Sequence, residues 1–497
     1  MTHGKTPDDS VGTKRICSDC VGESYLKAVI VARAELATCS YCENEGPTEA
    51  IEDLAARVEL AFESHYRRTS TEPDGFEYMM SKDPESSYEW ERHGEPVVDV
   101  IAEAAGIELE PAEDIRAILD ERTSSHDPRD AWEEPPFDSE AQYEPARLSD
   151  AELQMDWGDF EKSLKTEARY FSRSAEKILA ATFHGIDGLR DRSGRPALVE
   201  AGPGQSIDAL FRARVFQSDE KLEAALRHPE KELGPPPSAI APGLRMNSRG
   251  ISVFYGTNTP ATALAEVRPP VGSQVVVGKF SLLRPLRLLD LTVLRNIYVM
   301  GSDFDPEFIG KLKHAMFLEH LSHRITMPIM PDDEAIEYLP TQVIADYLAS
   351  MDAPSIDGII YPSAQASSGQ LNIVLFHKSA RVQPSELPKE ATVRVSLESY
   401  SEDGAEPDYT IYVTPPKSTP SKPSVAKSFW DIQTPDGRYG DARVPALCLD
   451  PTTLEVHRIT AIQVVSEAHP VRHHVFPPES DSGAQAGEEE PDDPFPF

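Results

Sequence analysis

After Gln205 the chain breaks into apolar runs of six to ten residues, ISVFYG, SQVVVGKFSL, LRLLDLT, DGIIYPS and NIVLFH. Stretches with helical spacing separate them, at 260–267, 305–323 and 341–350. Strands this short and this apolar are stable only side by side in a sheet whose faces are covered by helices. The pattern predicts an α/β or α+β domain over residues 205–385.

The rest of the 497 residues divides by texture into further units, an α+β multidomain chain as a whole. Residues 1–49 hold Cys17-x2-Cys20 and Cys39-x2-Cys42, with eighteen residues between the pairs. Thiolates two residues apart on a tight turn can grip one tetrahedral ion, and a second such pair closes the shell, so the spacing predicts a structural zinc module. Redox-active or idle pairs are the alternative. A helix, ESYLKAVIVARAEL, is expected between the pairs, and the distant Cys448 is expected to be a small buried hydrophobe. Residues 50–190 predict a helical domain. Ile51, Leu54, Ala55, Val58 and Phe62 form one stripe; Val97, Val98, Ile101 and Ala102 a second; Ile115, Ile118 and Leu119 a third; Phe171, Ala175, Ile178, Leu179 and Phe183 a fourth. Within this domain 126–150 is acidic, Pro-containing and aperiodic, and predicts an exposed flexible linker. Residues 386–476 contain TVRVSLESY, DYTIYVTPP and VHRITAIQVVS, expected as a β extension against the preceding domain. Residues 477–497 carry seven acidic side chains and no basic one, the composition of a disordered tail.

Charge narrows the function classes. With 48 Lys+Arg against 84 Asp+Glu the formal net charge is −36. Such a surface repels polyanions, so nucleic acid is not an expected partner, although a local basic pocket remains compatible with it. No apolar run approaches the ~18 residues of a bilayer span, and MTHGKTPDDS lacks the apolar core of a secretory signal. A cytoplasmic location without membrane contact is the expectation.

Four patches of the 205–385 region carry chemistry. In LFRARVF (210–216) Arg212 and Arg214 fall on one face of a strand, where two guanidiniums call for an anion between them; two solvated arginines are the bland alternative. In GLRMNSRGI (243–251) Arg245 and Arg249 flank Asn247 in a Gly-containing turn suited to phosphate. In VFYGTNTPATALAEVRP (253–269) Thr259 is an N-cap, Pro260 suits the first helical position, and the helix carries Glu266. The ordinary role of such a Glu is an ion pair with the nearby Arg268. In DGIIYPSAQASSGQLNIVLF (357–376) a buried strand delivers Ser363 to a loop. His314, His320 and His323 share a predicted helix without HExxH, and are expected to lie on its solvated face.

Taken in order, arginine, then Tyr255 and Glu266 on a strand–turn–helix, then a serine in a YPS loop, this region resembles the RES family, named for Arg, Glu and Ser. The cysteine-plus-helix region resembles the HEPN-like domain found ahead of RES domains. The resemblance implies a fold similar to ADP-ribosyltransferase toxins, degradation of NAD by hydrolysis or phosphorolysis, and frequent service as the toxin of a toxin–antitoxin pair. Carried onto this chain, the family arginine falls on Arg212, with Arg214 as rival, the tyrosine on Tyr255, the glutamate on Glu266 and the serine on Ser363. Arg245 matches a second basic position, and Met246 stands where the family pattern has Trp. The resemblance thus implies catalytic roles for Glu266, Arg212, Ser363 and Tyr255, and NAD contacts from Arg212, Arg214, Arg245, Asn247 and Tyr255. No His has an Arg five to seven residues before it, so the ribonuclease motif of some HEPN domains is missing. The competing expectations are an ADP-ribosyltransferase acting on a macromolecule and a non-enzymatic interaction protein built on the zinc module and helices.

Overall fold

The computed structural model describes residues 11–475, apart from 34, 84, 125–133, 168–171, 366–368, 386–390, 402–403, 416–440 and 464. The expectations placed on Phe171, on 126–133 and on the acidic tail lie outside the described residues. The cysteines sit on a small antiparallel sheet of β1 (Arg15–Cys17), β2 (Leu36–Thr38) and β3 (Glu45–Ala50), ordered β1-β3-β2, with α1 (Ser24–Arg33) between the first two strands. Behind it α2 (Ile51–His65) buries the whole predicted stripe, Ile51, Leu54, Ala55, Val58 and Phe62. After β4 (Tyr66–Arg68), α3 (Gly75–Lys82) and β5 (Glu95–Pro96) come α4 (Val97–Ala105) and α5 (Leu109–Thr123), which pack on α2 and on one another. Gly106 ends α4 in the left-handed region, φ 62°. Any side chain there would collide with the Gly22 backbone, whose N–H donates to the Gly106 carbonyl at 2.8 Å.

The described part of the segment expected as an exposed linker, 134–150, contributes to this core. Phe137, Ala141 and Tyr143 are buried, β6 (Gln142–Pro145) pairs with β4 and β5, and Phe62 meets the Phe137 and Tyr143 rings at 5.6 and 4.9 Å. Three apolar anchors fix the segment within an acidic composition that conceals them.

The next helices, α6 (Ala151–Thr166) and α7 (Arg173–Thr182), pack with the C-terminal half. Trp157, Phe160, Leu164, Ala175 and Leu179 share one core with Phe317, Leu321, Val374 and Phe376. That half is built on a nine-stranded mixed sheet. In chain order it contains β7 (Leu198–Ala201), β8 (Ala209–Phe216), α8 (Asp219–Arg227), α9 (Pro229–Glu232), β9 (Phe254–Thr257), α10 (Pro260–Glu266), β10 (Gln274–Leu282), β11 (Leu286–Asp290), α11 (Leu291–Leu294), α12 (Phe308–Thr326), α13 (Glu334–Glu337), α14 (Leu339–Ser350), β12 (Gly358–Pro362), β13 (Leu371–Leu375), β14 (Thr392–Ser401), β15 (Gly404–Thr414), β16 (Leu447–Leu449) and β17 (Glu455–Arg458). The strand order is β16-β10-β8-β9-β13-β12-β11-β7, with β17 also on β10. Among the named strands of the described residues only β11 and β12 pair in parallel. The apolar runs of the sequence are these strands, buried because α6, α7, α12 and α14 cover one face while α8 packs on the other.

Two expectations change here. The C-terminal extension does more than lie against the preceding domain: β14 and β15 form a hairpin packed on it, whereas β16 and β17 complete the main sheet along the outer edge of β10. An unpaired β10 edge would leave a row of backbone groups exposed, which the returning chain covers. The histidine helix face is not merely solvated either. His314 bonds the Thr182 carbonyl at 2.8 Å and His320 bonds Asp150 at 2.8 Å, tying α12 to α7 and to the start of α6. No helix among the described residues is long and apolar enough to cross a membrane.

Gly358 lies in β12 where an added methyl would run into the Val374 carbonyl, whereas exposed Gly158 on α6 has open space around it. Gly358→Ala is expected to lower stability by about 1–3 kcal/mol through overpacking. Gly158→Ala is expected to raise it by about 0.5–1 kcal/mol through helix propensity. Urea unfolding midpoints of the two variants check both signs.

Candidate active site

β8 and β9 share a single register pair, Phe211 with Thr257, although β9 pairs fully with β13 on its other side. A cavity of about 500 Å³ lies at this point, lined among others by Arg212, Arg245, Tyr255, Glu266, Tyr361 and Asn372. The local sequence explains how each is delivered. Thr259 caps α10 by accepting from the Thr262 N–H at 3.2 Å, and Pro260 starts the helix. Glu266 is the last residue of that short helix. The turn before it is fastened to the loop after β12: Asn258 exchanges backbone and side-chain bonds with Leu371, and Gln370 accepts from Thr259 at 2.9 Å and Thr262 at 2.5 Å.

Among the described residues the carboxylate has no cation partner. Glu266 Oε1 accepts from Ser363 Oγ at 2.5 Å and from Asn372 Nδ2 at 2.8 Å, and the expected pair with Arg268 does not form. Ser363 in turn accepts from the Gln365 N–H at 3.1 Å. A hydroxyl has one proton, and here it goes to Glu266.

The guanidiniums are distributed unevenly. Arg212 lies over the Phe254 ring at 5.2 Å, and its Nη1 is buried without a hydrogen-bond partner. Burial first, and the neighbouring Arg214 charge second, pull its pKa down to about 10. Arg214 points elsewhere, to Glu232 Oε2 at 2.5 Å, and does not line the cavity. Arg245 donates to the Ile325 and Met327 carbonyls at 2.6 and 2.8 Å, at the C-terminal end of α12, and stacks on Tyr338 at 5.0 Å. Arg268 lines the cavity with a left-handed backbone, φ 43°, a conformation few non-glycine residues adopt. Among the described residues no carboxylate pairs with Arg212, Arg245 or Arg268.

Tyr255 contributes its ring, since its hydroxyl is held between the Asn247 Oδ1 it donates to at 2.8 Å and the Met246 N–H it accepts from at 3.0 Å. Burial raises its pKa far above the usual phenol value. Asn247 lies outside the cavity and is a buried turn residue whose Nδ2 serves the carbonyls of Pro242, Ser248 and Ile251. The structure therefore brings Arg212, Arg245, Tyr255, Glu266 and Ser363 together and leaves Arg214 and Asn247 aside. It adds Arg268, which the sequence offered only as an ion-pair partner, Tyr338, Tyr361 of the YPS stretch, and Asn372, which stands out in the sequence as the one polar residue inside LNIVLF.

The four N-terminal cysteines converge independently. Their sulfurs all lie within 4.8 Å of one another, with Cys17 3.6 Å from Cys20 and 3.5 Å from Cys42, and Cys20 3.9 Å from Cys39. Sulfurs around a tetrahedral ion with bonds of about 2.3 Å are roughly 3.8 Å apart, so the set fits a thiolate-bound metal, and the spacings are far beyond a disulfide bond of about 2.05 Å. Burial opposes ionisation of Cys39, but the N–H groups of Tyr41, Cys42 and Cys17 outweigh it and bring that thiol to about 7.

An unpartnered buried cation destabilises the empty protein and gives an anion something to bind. Arg212→Met, which keeps an apolar stem and sulfur contact with Phe254, is expected to melt higher than wild type without ligand. Wild type is expected to be stabilised by inorganic pyrophosphate, by about 2.7 kcal/mol at a hundredfold excess over Kd, and the variant far less. Thermal melts with and without pyrophosphate test both halves.

The RES domain family model matches residues 209–397, which contain every cavity residue discussed above, and the model of HEPN/RES N-terminal domain 1 matches residues 32–178. No curated protein and no solved structure matches the chain. The chain is a RES-domain protein with a HEPN/RES N-terminal domain ahead of it.

Proposed function

We propose that this protein cleaves the bond between nicotinamide and ribose in NAD. RES domains are associated with NAD-related toxin–antitoxin function, and an NAD-acting enzyme is the general expectation for the family. The observation that carries the finer reading is the charge layout of one cavity: among the described residues, a carboxylate held only by neutral donors shares the lining with guanidiniums that lack carboxylate partners. A dinucleotide with a pyrophosphate at one point and a ribose that turns cationic at another matches both poles.

The chemistry follows. The pyridinium leaves C1′ with the bonding electron pair and becomes neutral nicotinamide, so no acid has to protonate it. Positive charge develops on the ribose ring, and Glu266 stabilises it more strongly in the transition state than in the ground state. An oxygen of water, or of inorganic phosphate, then bonds to C1′ and its proton passes to solvent, giving ADP-ribose or its 1″-phosphate. Arg212 and Arg245 hold the pyrophosphate by charge-assisted bonds. The Tyr255 ring packs against the nicotinamide half, and Ser363 acts through Glu266. The same fold would serve an ADP-ribosyltransferase if a macromolecular nucleophile took the place of water. The Cys17, Cys20, Cys39 and Cys42 set would hold a structural zinc, and a neutralising antitoxin is the partner the family implies.

Incubating purified protein with NAD, with and without phosphate, is expected to release nicotinamide without any added macromolecular acceptor. Glu266→Gln is expected to lower kcat by about 10²–10³-fold while Kd for NAD changes little. Turnover at the wild-type rate in that variant would remove Glu266 from the mechanism. For the cysteines, elemental analysis is expected to find one zinc per chain, and Cys39→Ser to lose it together with stability of the N-terminal half.

A further inference from the structure

We infer that Asn372 is a positioning residue for Glu266, one that fixes which carboxylate oxygen faces the ligand; the inference rests on the NAD-cleaving reading of the cavity. Both donors reach the same atom, Ser363 Oγ at 2.5 Å and Asn372 Nδ2 at 2.8 Å from Oε1. Oε2 has no hydrogen-bond partner among the described residues, and Glu266 lines the cavity. Two bonds to one oxygen stop rotation of the carboxylate and leave the other oxygen's lone pairs for the ligand.

The two anchors differ in rigidity. Ser363 lies in the loop after β12, whereas Asn372 is buried inside β13, with strands paired on both sides: its register partners are Tyr361 on β12 and Thr257 on β9. A side chain on a central strand can be held to a fraction of an ångström, which a loop residue cannot match. Asn372 is also an expensive choice for packing. Leu371, Ile373 and Leu375 of the same strand face one core, and Val374, on the Asn372 side, is in the other. A buried amide at 372 is tolerated because its N–H finds a charged acceptor.

Neutrality matters as much as geometry. An arginine or lysine at 372 would hold the carboxylate equally well, but would cancel the negative charge that the developing ribose cation needs. An amide directs the carboxylate and leaves its charge intact. Burial first, and the Glu266 charge second, oppose ionisation of the Tyr361 phenol, which lines the same cavity.

The test uses the full chain carrying Asn372→Leu or Asn372→Asp, with kcat, KM and the pH–rate profile for nicotinamide release from NAD. Asn372→Leu is expected to lower kcat by about 10–100-fold with KM within about twofold of wild type, because a misplaced group loses rate before it loses binding. Asn372→Asp sets a second carboxyl against Glu266 and is expected to move the acid limb of the profile upward by roughly one pH unit or more. A wild-type kcat in Asn372→Leu together with an unmoved acid limb in Asn372→Asp would overturn the assignment. Failure of the NAD reading is recognised separately, as no nicotinamide release by wild type. In that case melting temperatures decide the contact: Asn372→Leu should lower the melting temperature clearly in wild type and less than half as much in a Glu266→Leu background. Equal losses in both backgrounds would contradict it.

Discussion

One constraint organises the C-terminal half: Glu266 and Arg212 face the same cavity, and among the described residues neither has a charged partner. Folding ordinarily pairs such groups or leaves them in water. Here Glu266 is satisfied by a hydroxyl and an amide, and Arg212 by an aromatic face with one guanidinium nitrogen left orphaned. Both arrangements are poor for stability and good for a ligand that carries the missing charges. The sheet makes them possible. β8 bonds β10 along its whole length but β9 at one residue pair, so the cavity opens at an incomplete seam between two well-paired groups of strands.

The N-terminal half is joined to this framework through packing, not through a simple tether. α6 and α7 close the same core that buries the central strands. At the near end of α12, Phe304 is buried in the core of the cysteine-bearing half and Asp303 lies 3.4 Å from His65. At its far end the carbonyls of Ile325 and Met327 hold Arg245 in the cavity. One helix therefore spans the distance between the N-terminal core and the arginine-bearing side of the cavity.

Much of this was legible in the residues. Short apolar runs located the strands to within a few positions, and Thr259-Pro260 marked the start of α10. The cysteine spacing anticipated four sulfurs in one cluster, and the order Arg, Tyr, Glu, Ser anticipated the family. The misses share a physical cause, since each depends on partners distant in sequence. Phe137, Ala141 and Tyr143 look like stray apolar residues in an acidic loop until α2 is placed beside them. Arg214 looks equivalent to Arg212 until Glu232 arrives from α9 and takes it. Asn247 looks like a phosphate ligand, but it organises its own turn and the Tyr255 hydroxyl. Of the C-terminal VHRITAIQVVS, the described residues form a strand only where its first three overlap β17 (Glu455–Arg458), along the outer edge of β10 that offers register.

The central claim is that a single ligand bridges the two unpaired charges, and a crystal structure of Glu266→Gln soaked with NAD tests it most directly. The account predicts pyrophosphate oxygens within hydrogen-bond distance of Arg212 and the nicotinamide ribose beside the residue at 266. A dinucleotide bound elsewhere, or an empty cavity at saturating NAD, would contradict it.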